Sequence, residues 1–138
     1  MALREEIIAL ASVHSGSDSN GSEEADFLGA FGLAGDDASE FLDDFGAKFG
    51  VDFSEFRWEF HYIADEPPFF RRLLPIARDG QVIPFQPITL DDLARCAETR
   101  RWSYDYPDHV IRKSVRYDLA LLVLFPIIIL GSIALICL

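Results

Sequence analysis

The last twenty residues, Leu119 to Leu138, carry no charge, and fourteen of them are Leu, Ile, Val or Phe. A helix rises about 1.5 Å per residue, so this stretch would extend roughly 30 Å, the hydrocarbon thickness of a bilayer. On an insertion scale its large apolar residues supply roughly −4 to −8 kcal/mol before Pro126, Gly131 and Ser132 are counted against them. So many apolar side chains on every face of a terminal helix would swamp the core of a small domain. The stretch therefore predicts a transmembrane helix over 119–138, in contact with the lipid bilayer. Arg112, Lys113 and Arg116 precede it, and Tyr117 stands at its boundary. A basic flank on that side predicts a single-pass, tail-anchored chain whose N-terminal domain faces the cytoplasm. Residues 103–118 become a juxtamembrane connector, and residues 1–102 one small soluble domain.

The net charge of −11 is unevenly spread. Residues 1–66 hold sixteen acidic and three basic side chains, against seven and nine in residues 67–138. Such an acidic half repels nucleic acid and attracts a basic protein surface. Cys96 and Cys137 are too few for a disulfide framework or a zinc site. The N-terminus lacks the pattern of a secretory signal, because Glu5 and Glu6 follow Arg4 directly and the apolar run after them is short.

Residues 2–13 read as a first helix with Leu3, Ile7, Leu10 and Ala11 on one face. His14 to Glu24 is a polar loop with nothing to bury, and residues 14–25 are expected to be mobile. Phe27, Leu28, Phe31 and Leu33 read as a buried loop. Asp37 and Glu40 have capping-box spacing, and Ala38, Phe41, Leu42, Phe45 and Phe49 recur at helical intervals. Asp36 to Phe49 therefore predicts a helix closed by Gly50. Arg57 to Ile63 fits a strand or a helix equally well. Residues 67–87 read as an irregular insertion with Gly80 at a turn. Residues 69–74, apolar and basic together, suit either packing on the domain or contact with a membrane surface. Thr89 and Asp92 mark a further helix start, with Leu90, Leu93, Ala94 and Ala97 inward. Pro107 suits the first turn of a helix running through Arg112, Lys113 and Arg116 into the span.

The stretch DFLGAFGLAGDDASEFLDDFGAKFG resembles an acyl carrier protein. It matches at Phe27, Gly32, Asp37, Glu40 and Phe49, with Phe31, Phe41 and Phe45 where that family has leucines. GVDFSEF and PITLDDLARCAETRRW resemble more closely a bacterial family related to carrier proteins, domain-of-unknown-function family fourteen-ninety-three. The resemblance covers residues 1–102. It implies a mainly α fold, a small acyl-carrier-like helical bundle with room for a short β pair in residues 58–86. It also implies placement at the bacterial inner membrane. In carrier proteins a serine at the start of the second helix bears the phosphopantetheine arm. Gly35 stands at that position and Ala34 replaces the preceding Asp, so no arm can be attached there and no cofactor is expected.

His14, His61 and His109 are widely spaced and make no metal-ligand pattern. There is no nucleophile motif or phosphate loop, so no enzyme is expected. The resemblance implies a membrane-tethered, non-catalytic interaction module. Asp36, Asp37, Glu40, Asp43 and Asp44 would form an acidic recognition face for a protein partner with a basic surface. Two alternatives stay open: a carrier modified on another serine such as Ser39 or Ser19, and an accessory subunit packing through Gly131 and Ser132.

Overall fold

Periodic apolar residues place three helices around one core. Helix α1 spans Leu3–Ser15, α3 Gly35–Phe49 and α5 Leu90–Thr99, with single-turn helices α2 at Phe27–Ala30 and α4 at Trp58–His61. A two-stranded antiparallel sheet joins β1, Leu73–Ala77, to β2, His109–Lys113, and α6 spans Val115–Cys137. The computed structural model describes residues 2–62 and 71–137, with the backbone alone over 115–121.

Helix α1 packs on both α3 and α5. Ile7 and Ala11 of α1 meet Phe41, Leu42 and Phe45 of α3 and Leu90, Leu93 and Ala94 of α5 in a single buried cluster. Phe27, Leu28, Phe31 and Leu33 are buried in it as well. Phe27, Phe41, Phe45 and Phe49 form a run of tilted rings with centroids 4.9 to 6.0 Å apart. Aromatic pairs prefer such offsets to face-to-face stacking. Gly50 closes α3 at φ +67°, a left-handed turn for which glycine has no steric penalty. The capping box predicted for α5 forms: the Asp92 N–H donates to Thr89 Oγ1 at 3.1 Å, and the Thr89 N–H donates to Asp92 Oδ2 at 3.0 Å.

The box expected at Asp37 and Glu40 does not form. Helix α3 begins earlier, at Gly35, whose φ of +55° bends the chain into the first turn behind Ala34, and no side chain caps it. Residues 14–24 do not all lie in a loop, because α1 continues to Ser15. The rest is anchored by Asn20 N–H to the Ala30 carbonyl at 3.0 Å and by Leu90 N–H to the Glu23 carbonyl at 2.9 Å. The ambiguous segment resolves at Trp58–His61 as one helical turn, and Ile63 lies outside the described residues. The short β pair expected in residues 58–86 is present as an antiparallel bridge between Ile76 and Val82 across the Gly80 turn, while the two-stranded sheet takes its second strand, β2, from outside that window. The register sets Leu73 opposite Lys113 and Ala77 opposite His109. Residues 109–113 are thus extended, and the helix expected to run unbroken from Pro107 does not exist. Of the apolar-basic run 69–74, Phe69 and Phe70 lie outside the described residues. Arg71 turns onto the domain, donating to the Ile83 and Glu59 carbonyls at 2.7 Å.

The expectation of a transmembrane helix is overturned: among the described residues no helix is long and apolar enough to cross a membrane. The described side chains of α6 run from Leu122 to Cys137. Pro126 inside the helix also withholds one backbone donor. The single-pass placement in a bacterial inner membrane, with a cytoplasmic N-terminal domain, rested on that span and falls with it. Arg112 and Lys113 are exposed on β2, whereas Arg116 and Tyr117 lie on α6, where the backbone alone is described.

Candidate functional site

Three features converge around α3. The first is its acidic face. At 3.6 residues per turn, Asp36, Asp37, Glu40, Asp43 and Asp44 fall within roughly 120° of the helix circumference. Phe41, Ala38, Phe45 and Leu42 occupy the opposite side, toward the core. All five carboxylates are exposed. Asp36 and Asp37 lie in the first turn, where negative charge complements the helix dipole. Asp44 is engaged: its Oδ2 lies 2.8 Å from His14 Nε2, and the His14 ring stands edge-on to Phe41 at 5.8 Å. Among the described residues the other four carboxylates have no ion-pair partner.

The second feature is a pocket of about 200 Å³ at the head of the same helix. Leu28, Leu33 and Ala38 line one side, Trp58, His61 and Tyr62 another, and Phe85 and Ile88 a third. Gly29, Gly32 and Gly35 contribute backbone, and Asp26 supplies a carboxylate. That carboxylate caps α2, accepting from the Gly29 N–H at 3.0 Å. A Cβ on Gly29 would lie 2.2 Å from Asp26 Oδ2, so the close approach requires glycine. Gly35 is buried in this wall and offers no nucleophile.

The third feature is a hydrogen-bonded aromatic cluster behind the pocket. His61 Nδ1 is 2.7 Å from the Gln86 carbonyl oxygen, which can only accept, so Nδ1 carries the proton and donates. His61 Nε2 is 2.7 Å from the Tyr106 hydroxyl. In the neutral ring that nitrogen accepts, and Tyr106 donates to it. The Tyr106 oxygen in turn accepts from Trp102 Nε1–H at 2.9 Å and from the Arg57 backbone N–H at 3.3 Å. Every member is satisfied with His61 uncharged. A second proton on Nε2 would face an oxygen whose lone pairs are already taken. Burial likewise lowers the His61 pKa from its ordinary 6.5, with the Gln86 carbonyl pulling the other way. Burial also raises the Tyr106 hydroxyl, keeping it a donor.

His109 is wired differently. Its Nδ1 faces the Pro107 carbonyl at 2.9 Å and its Nε2 faces Glu59 Oε1 at 2.8 Å. Cys96 is buried and its thiol is pushed up to about 12, largely by burial, so it is no thiolate nucleophile at neutral pH. No group of three or more His, Cys, Asp or Glu suited to a metal ion occurs among the described residues.

The sequence pointed to the carboxylate face but not to the pocket or the cluster. The aromatic run RWEFHYI and the alternation of Trp102, Tyr104 and Tyr106 were the available signals. Their meeting point depends on contacts between segments more than forty residues apart in sequence.

A family model described as "Protein of unknown function (DUF1493)" matches residues 6–105. No curated protein matches the chain. No solved structure matches it either.

Proposed function

The chain belongs to the DUF1493 family of unknown function, and from that premise we propose that it is a non-catalytic protein-interaction module of carrier-protein type, without a phosphopantetheine arm. The carrying observation is the acidic arc of α3: five exposed carboxylates, of which Asp44 alone has an ion-pair partner among the described residues. Gly35 at the head of the same helix supports the absence of an arm. The partner presents a basic protein surface. Charge complementarity of this kind raises encounter rate and selectivity more than it raises affinity. Nucleic acid, itself a polyanion, is disfavoured by the same field.

The test is cross-linking and pull-down with the full chain, comparing wild type with the triple variant Asp37→Lys, Glu40→Lys, Asp43→Lys. Those residues are chosen because their charges hold nothing else in place, unlike Asp44. Loss of a reproducible partner supports the acidic face, and an unchanged partner list rejects it. Intact-mass measurement after exposure to a phosphopantetheinyl transferase should show no added arm.

A further inference from the structure

We propose that the pocket at the head of α3 is an anchor site, which takes one apolar side chain from a partner segment whose flanking residues are lysine or arginine. This deepens the acidic-face reading and rests on it. Three observations carry it.

The first is size. At about 200 Å³ the pocket is below the roughly 300–1,000 Å³ of sites that enclose drug-sized ligands, and it suits a single leucine, methionine or phenylalanine side chain. The second is the lining. Leu28, Leu33, Ala38 and Ile88 are buried around it, while Trp58, edge-on to Phe56 and Tyr62, is 38 % exposed, so part of its indole is open to an incoming side chain. His61 brings no charge, because both ring nitrogens are satisfied in the neutral form. The third is the charge around the opening. Asp26 belongs to the pocket wall, and Asp36 and Asp37 follow directly on Gly35 of that wall. Among the described residues no lysine or arginine lines the pocket. Arg57, which precedes Trp58, lines a separate cleft with Glu55, Asp105 and Asp108. An apolar floor with one carboxylate, Asp26, in its wall and two more, Asp36 and Asp37, on the adjoining first turn of α3 is complementary to an apolar residue set between cations. Buried anchors of this sort carry most of the energy of an interface, and rim charges mainly choose the partner.

The experiment titrates the full chain with synthetic nine-residue lysine-rich peptides and follows the Trp58 indole and the Gly29, Gly32 and Gly35 amides by NMR. One peptide carries a central leucine, a second alanine at that place, and a third has the leucine with every lysine replaced by glutamate. The leucine-lysine peptide is expected to shift those four signals and to bind at least tenfold tighter than the alanine peptide. The glutamate peptide is expected not to bind. Ala34→Trp, at the half-buried residue before Gly35, should erase the leucine preference while leaving salt-sensitive binding of lysine peptides intact. Equal binding of the leucine and alanine peptides overturns the anchor and leaves the acidic face standing. Failure of both lysine peptides at low salt overturns the anchor together with the face. Equal binding of the glutamate peptide overturns the cationic flank. Shifts of the same signals with protein concentration, without peptide, would assign the pocket to a second copy instead.

Discussion

Between α1, α3 and α5 the interior is dry, whereas between α4 and residues 102–109 it is wired. Ile7, Ala11, Phe27, Phe41, Phe45 and Leu93 are buried and carry no hydrogen-bonding side-chain atom. His61, Trp102, Tyr104 and Tyr106 pack ring against ring just as closely, with centroids 4.7 to 6.1 Å apart, and His109 stands edge-on to Phe60 at 4.7 Å, but their polar atoms all find partners. The dry side gains from area removed from water and loses when a cavity opens. The wired side gains little net from each hydrogen bond, and loses heavily when one partner is removed and the other stays buried. The pocket lies on the seam, with Leu33 and Ala38 from one side facing Trp58 and His61 from the other.

The largest effect expected is therefore on the dry side. Phe41 is fully buried between Phe27 and Phe45. Phe41→Ala should cost about 3–5 kcal/mol in urea denaturation. Phe41→Leu, which keeps most of the volume, should cost less than about 1.5 kcal/mol. A similar loss for both would mean that the packing here depends on ring geometry more than on filled volume. Next comes Tyr106→Phe, which deletes a single oxygen. It strands the Trp102 Nε1–H and leaves His61 Nε2 without its donor, at a cost of about 1–3 kcal/mol for the orphaned groups. In a double-mutant cycle with Trp102→Phe the losses should fall short of additive, since the two residues share one bond. Strict additivity would remove the distinction between the two sides.

A third effect separates them by pH. The His61 pKa is lowered in the folded protein from 6.5 by burial. Between 6.5 and that lower value the unfolded chain binds a proton that the folded chain does not. Stability from this group is therefore full above 6.5 and falls as the pH drops through that window. His61→Gln abolishes the titration, so the stability gap between wild type and variant should narrow from about pH 7 to about pH 5. A gap that stays constant would mean that His61 titrates normally. Phe41→Ala should show no comparable pH dependence relative to wild type.

The dry side was legible in the sequence, and the wired side largely was not. Ala38, Phe41, Leu42 and Phe45 announce α3 by spacing alone, and Thr89 with Asp92 announces the cap of α5, because both signals are local. Nothing local links Tyr106 to His61, or strand β1 to partners thirty-two to forty positions away in register. HVIRK beside an apolar tail reads as the approach to a long helix, and only its pairing with Leu73–Ala77 makes it a strand. Apolar composition likewise suggested a membrane span at the C-terminus, but among the described residues no helix is long and apolar enough to cross a membrane. The acidic arc of α3 was visible from spacing, but the tie between Asp44 and His14 needed the docking of α1.

The smallest effect sits on the seam. Asp26 caps α2 only because Gly29 lets its carboxylate come close. Asp26→Ala should cost about 0.5–2 kcal/mol, as lost helix caps do. Gly29→Ala should cost a similar amount by a different route, since its new Cβ expels the same carboxylate. Once Asp26 is gone the obstacle is gone, so Gly29→Ala in the Asp26→Ala background should be nearly neutral, and thermal unfolding of the four proteins measures that coupling. If Gly29→Ala costs as much without Asp26 as with it, the glycine serves the backbone of the pocket wall and not the cap. The seam would then belong to the dry side alone.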